Sequence, residues 1–221
     1  MTATHVDLDQ LDPGEPRILR FDRTERVLHG VNATLVLIML VTGTTFYVGG
    51  FQSLVGHRAL LRQVHVWSGI GLLVPWTVVL AGRWRRGVLR DVARLGRWTE
   101  DDWHWLKSRG RRAADRIGKF NGGQKLNAVF VAGALPVMLL TGSIMQWHDP
   151  FPDQWRTGAT FVHDVFWLGL LIAIFGHILK AISEPESLRA MLGRGWVPVD
   201  WARSHRPRWY REVIGGSDGS D

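Results

Sequence analysis

"FVHDVFWLGLLIAIFGHILK", residues 161–180, is almost wholly apolar yet carries His163 and His177. The two histidines stand 14 positions apart (177 − 163). On an α-helix that is roughly 21 Å of rise and close to four full turns, so both rings project from nearly one face. An unpartnered polar group buried away from water costs about 1–3 kcal/mol. Each imidazole therefore needs a reason to be there.

Working outward, three more apolar runs appear, so that the set is 27–48, 64–82, 126–145 and 158–182. Their lengths of 22, 19, 20 and 25 residues bracket the roughly 20 needed to cross a hydrocarbon core. The expected fold is all-α: an integral membrane four-helix bundle, multi-pass, occupying 27–182 of the 221 residues. Residues 1–26, a loop at 83–125 and a tail at 183–221 lie outside it. A soluble bundle is the competing architecture. Four such runs in one short chain are hard to bury in it.

Charge sets the orientation. Lys and Arg number 4 in residues 1–26, 13 in 83–125 and 7 in 180–221, against 2 in 49–63 and 1 in 146–157. The positive-inside rule puts both termini and the middle loop in the cytoplasm. The net charge of +7 thus reports topology, and no nucleic-acid partner is expected; the contact is with membrane lipid. Residues 1–20 have no apolar core of a cleavable signal. With no cysteine in the chain, disulfides, iron–sulfur ligation and c-type haem attachment are excluded. No internal repeat is apparent.

The topology gives each membrane histidine a depth. His29 and His177 fall near the inner surface, His65 and His163 near the outer one, each pair on two different helices. That is the requirement of two stacked b-type haems, each with one axial imidazole on either face. Gly30, Gly69, Gly71, Gly169 and Gly176 lie near these positions, where a flat porphyrin needs room and where helices also pack closely. Arg26 and Lys180 stand by the inner pair and Arg62 by the outer, as candidates to meet haem propionates or to snorkel to the interface. Asp164 beside His163 is a candidate to orient an imidazole. His5, His57, His104, His148 and His205 read as solvated, His57 being the nearest alternative to His65. A proton relay built from the same ionisable groups is the rival chemistry.

The chain resembles the gamma subunit of membrane-bound formate dehydrogenase, a di-haem cytochrome b, over residues 20–212. The four histidines stand at that family's ligand positions. "GKFNGGQK" at 118–125 and "RPRWYRE" at 206–212 are its most specific strings. Related cytochromes b of hydrogenases and thiosulfate reductases share the histidine layout. Residues 1–19 have no counterpart there. The resemblance implies an iron–sulfur beta subunit and a molybdenum- or tungsten-dependent alpha subunit as partners, in the cell inner membrane. It implies electron flow through the outer haem (His65, His163) and the inner haem (His29, His177) to a quinone, expected to be menaquinone. The quinone residues it points to are Asn121, Gly123, Gln124 and Lys125, with His177. From the residues alone, the favoured reading of Asn121 is the cap of the third apolar helix, a role compatible with quinone binding.

Overall fold

In a computed structural model, residues 16–47, 57–110 and 114–215 are described. In chain order the elements are β1 (Arg17–Leu19), α1 (Arg23–Tyr47), α2 (Arg58–Gly71), α3 (Leu73–Ala81), α4 (Arg85–Gly96), α5 (Glu100–Lys107), a 3-10 turn (Ala114–Arg116), α6 (Gly122–Gln146), α7 (Asp153–Ile182), α8 (Pro185–Leu192), β2 (Trp196–Pro198), α9 (Val199–His205) and α10 (Pro207–Ile214). Four stretches are long and apolar enough to cross a membrane: Arg23–Tyr47, Arg58–Ala81, Gly122–Gln146 and Asp153–Ile182. Each begins four to six residues before its apolar run (23 for 27, 58 for 64, 122 for 126, 153 for 158). The extra turn is polar, because helix starts expose N–H groups that polar side chains and water satisfy. The second span is interrupted where Pro75 offers no N–H to the Gly71 carbonyl. There the chain tightens, and Leu72 N–H donates to the Gly69 carbonyl at 3.3 Å.

The described chain divides into two compact units. One, residues 27–85 and 130–178, holds the greater part of the four spans. Its core joins Val36 and Leu40 of α1, Ala134 of α6 and Leu170 of α7, with Leu72 packed against them. Only 6–28% of each apolar window is buried, and side chains such as Val41, Ile172 and Phe175 are exposed. Such helices suit hydrocarbon, where every backbone polar group is satisfied within its own helix.

The other unit gathers residues 16–26, 86–129 and 179–215 of the described chain. Here the expected loop and tail form helices, and a two-stranded sheet departs from a purely α fold. β1 pairs antiparallel with β2, Ile18 opposite Val197. Three-residue strands are too short to leave a periodic pattern in sequence. Ile18, Phe21, Ala190, Val197, Ala202, Trp209 and Val213 form the core.

Three reciprocal helix caps sit in this unit. Asp22 and Glu25 exchange backbone and side-chain bonds at 2.7 and 2.8 Å. Thr99 and Asp102 form a second capping box. In the third, Gln124 N–H donates to Asn121 Oδ1 at 2.9 Å and Asn121 N–H to Gln124 Oε1 at 3.1 Å. Two of these caps also hold buried lysines. Lys119 Nζ meets Glu25 at 2.6 Å and also Asp91, and Lys125 Nζ meets Asp102 at 2.7 Å. Burial by itself would raise the Asp91 pKa; its hydrogen bond with Glu25 and the Lys119 charge outweigh that and leave it lowered.

These contacts join the start of the chain, the middle segment and the tail. They are the three segments that hold 24 of the 27 Lys and Arg (4 + 13 + 7). Removing the shared cation takes the ammonium away from the buried Asp91 carboxylate and from Glu25. Lys119→Ala is expected to destabilise this unit by about 3–5 kcal/mol, read as faster proteolysis of the tail in the detergent-solubilised protein.

Candidate functional site

The bundle brings the four membrane histidines together in two pairs. His65 of α2 faces His163 of α7 with ring centroids 6.3 Å apart. His29 of α1 faces His177 of α7 at 6.1 Å. Both pairs are tilted, at 59° and 49° between planes, and no hydrogen bond joins the two rings of either pair among the described residues. An imidazole nitrogen bonds a metal at about 2.0–2.1 Å, with the ring centroid about 1.1 Å farther back, so two imidazoles in line across one metal have centroids roughly 6.2–6.4 Å apart. The His65–His163 spacing falls in that range, and the His29–His177 spacing lies just below it.

The outer pair lies on a cavity of about 770 Å³, lined by Gly43, Arg58, Arg62, Gly142 and Trp167 as well as by His65 and His163. Arg62 is thus where the sequence expected it, and Arg58, one turn earlier, joins it. Beside the inner pair there is open space: a Cβ added at Gly30 or Gly176 meets nothing within 4 Å. Gly169 has a different role, since its added Cβ would stand 3.0 Å from the Phe130 ring. It lets two helices approach.

The partner expected for His163 is corrected. Asp164 accepts the hydroxyl of Tyr47 instead, because neighbouring residues on a helix point about 100° apart. His163 Nδ1 lies 2.9 Å from Thr141 Oγ1, and His65 Nδ1 lies 2.9 Å from Thr42 Oγ1. Each threonine also stands 2.7 Å from the carbonyl four residues back, Ile38 for Thr42 and Val137 for Thr141. A glycine follows each: an added Cβ would lie 3.5 Å from His65 Cε1 at Gly43 and 3.3 Å from His163 Cε1 at Gly142. Sequence reasoning missed both threonines and both glycines. The signal was there in "MLVTGT", 39–44, and "MLLTGS", 138–143, a local repeat at an offset of 99. It corrects the reading that the chain has no repeat.

The other candidates fall elsewhere. Asn121, Gln124 and Lys125 belong to the unit described above, where the cap uses both amide oxygens and the Lys125 ammonium is held by Asp102 and, at 2.8 Å, by the Arg97 carbonyl. Gly123 sits against Trp105, its added Cβ 3.0 Å from the ring. Arg26 donates to the Gly193 carbonyl, and Lys180 pairs with Glu184 at 3.4 Å. His57 is exposed just before α2, His148 lines the rim of the outer cavity, and His205 stacks on Trp201. His5 is outside the described residues.

A membrane bundle with paired imidazoles agrees with what comparison finds: the model of the prokaryotic cytochrome b561 family matches residues 20–194. The chain belongs to that family. Membership implies that this cytochrome binds haem b. It is similar to the formate dehydrogenase cytochrome b556(fdo) subunit of Escherichia coli, 26% identical over 89% of this chain and 93% of that protein. It is 28% identical to the formate dehydrogenase cytochrome b556 subunit of Haemophilus influenzae, over 90% of this chain and 85% of that one. A third relative, the nitrate-inducible cytochrome b556(Fdn) subunit of formate dehydrogenase from E. coli, is 27% identical over 89% and 91%.

Room beside His163 can be tested in this cytochrome. Gly142→Val sets branched methyls against the ring, and the haem absorption spectrum of the purified protein is expected to change. Gly133→Val on the same helix, where an added Cβ meets nothing within 4 Å, is expected to leave it unaltered.

Proposed function

We propose that this chain is the cytochrome b subunit of a membrane-bound formate dehydrogenase and holds two b haems by bis-histidine ligation. His65 and His163 take the outer haem, and His29 and His177 the inner. The observation that carries this is the common spacing of the two facing pairs, 6.3 and 6.1 Å. Formate as donor is favoured over the donors of other respiratory complexes by the names of the three relatives.

When bound, haem supplies one-electron redox chemistry at its iron. The chain's own residues do the rest. The four imidazoles supply axial nitrogens. Arg58 and Arg62, at the outer cavity, supply positive charge to propionates; Arg26 and Lys180 are the candidates for the inner haem. The apolar helices keep water from the rings. In this role the chain anchors an iron–sulfur subunit and a molybdenum or tungsten subunit at the inner membrane and passes their electrons to a quinone of the menaquinone class.

The quinone is proposed to bind on the cytoplasmic side at Asn121, Gly123, Gln124 and Lys125. With both amide oxygens spent on the cap, the NH2 groups of Asn121 and Gln124 remain as donors to a quinone carbonyl.

Haem quantitation with redox titration tests the ligation. His65→Ala or His163→Ala is expected to remove one haem, and His29→Ala or His177→Ala the other. A wild-type protein without a Soret band, after expression with ample haem, would overturn the reading; so would loss of the same haem from His29→Ala and His65→Ala.

Asn121→Asp tests the quinone site. Aspartate keeps the capping oxygen but, ionised, offers no donor. A lost hydrogen bond is worth about 1–3 kcal/mol, so quinone affinity is expected to fall roughly 5- to 150-fold with both haems retained. Stopped-flow haem reoxidation by added quinone reads it, and wild-type kinetics would leave Asn121 a cap alone.

A further inference from the structure

The repeated M-L-x-T-G segment surrounds one imidazole in each half of the bundle. Thr42 carries a single hydroxyl proton. Its oxygen is 2.7 Å from the Ile38 carbonyl, which can only accept, and 2.9 Å from His65 Nδ1. With the proton committed to the carbonyl, the oxygen can only accept from Nδ1. The second copy repeats the pattern: Thr141 Oγ1 is 2.7 Å from the Val137 carbonyl and 2.9 Å from His163 Nδ1. Both rings therefore carry their proton on Nδ1. Nε2 is left as the one lone pair able to bind a metal.

We propose that Thr42 and Thr141 are positioning residues: together they fix the tautomer and orientation of His65 and His163 and raise the basicity of both nitrogens facing one haem iron. This rests on the reading that these two histidines ligate a haem. Gly43 and Gly142 complete each cradle: an added Cβ would touch His65 Cε1 at 3.5 Å and crowd His163 Cε1 at 3.3 Å. The inner pair is built differently. No side-chain hydrogen bond to His29 or His177 is present among the described residues. A hydrogen bond from the far nitrogen makes an imidazole a stronger donor to metal, which favours the oxidised ion. The cradles thus lower the outer haem's reduction potential relative to the inner one, the order that favours electron flow inward.

The test uses the full chain in membranes with its partner subunits. Valine matches threonine in shape but cannot accept a hydrogen bond, so Thr42→Val, Thr141→Val and their combination remove the bond and keep the packing. The double variant is expected to lose outer-haem retention about 10- to 100-fold in competition with apomyoglobin. Its outer-haem midpoint potential is expected to shift upward, with the inner one unmoved. Thr42→Ser and Thr141→Ser, which keep the hydroxyl, are expected to restore both. Unchanged outer-haem potential and retention in the double valine variant would overturn the proposal while leaving ligation intact. If His65→Ala costs no haem, it is the ligation reading that fails.

Discussion

A ring nitrogen in hydrocarbon must be either bonded or used, and the membrane half of this protein is arranged around that requirement. The helices satisfy their own backbones, so the four imidazoles are its most demanding polar groups. At the outer level, one nitrogen of each ring is spent on a threonine that is itself bonded back to its own helix. The other nitrogen has no protein hydrogen bond among the described residues. Where a helix supplies a glycine beside that threonine, the ring comes close; where it supplies one elsewhere, as at Gly169, it serves packing against a phenylalanine.

The second unit solves the opposite problem. It is rich in charge and must bury some of it. Lys119 and Lys125 are almost fully buried, and each is matched by a carboxylate that already closes a helix start. One side chain thus does two tasks, capping a backbone and neutralising an ammonium. Such pairs contribute little net stability when complete. They fix which segments come together, and here those segments are far apart in sequence.

How much of this could be read from the sequence follows from length scales. The spans were legible because about 20 apolar residues in a row have few other uses. The histidine pairing was legible because charge asymmetry gives depth, and depth plus helix identity leaves few partners. The basic loop and tail were not. Their helices are short and amphipathic, their strands are three residues each, and their core joins Ile18 and Phe21 to Val197 and Trp209, contacts that no local pattern announces. The caps were half legible, since Asn121 was read as a helix start while its reciprocal bond with Gln124 was not foreseen. Thr42 and Thr141 were hidden for another reason. Membrane threonines usually bond back to their own helix, so nothing marks one as also facing an imidazole.

The pairing of Ile18 with Val197 also sets a schedule for biosynthesis. These residues are 179 positions apart (197 − 18). At roughly 5–20 residues per second, the first strand leaves the ribosome on the order of 10–35 s before its partner. All four spans are translated in that interval, while Ile18 and Phe21 wait with no core to enter. A chain that stops short of Trp196 never covers them. Its N-terminal segment then keeps in water two apolar side chains that a finished chain buries.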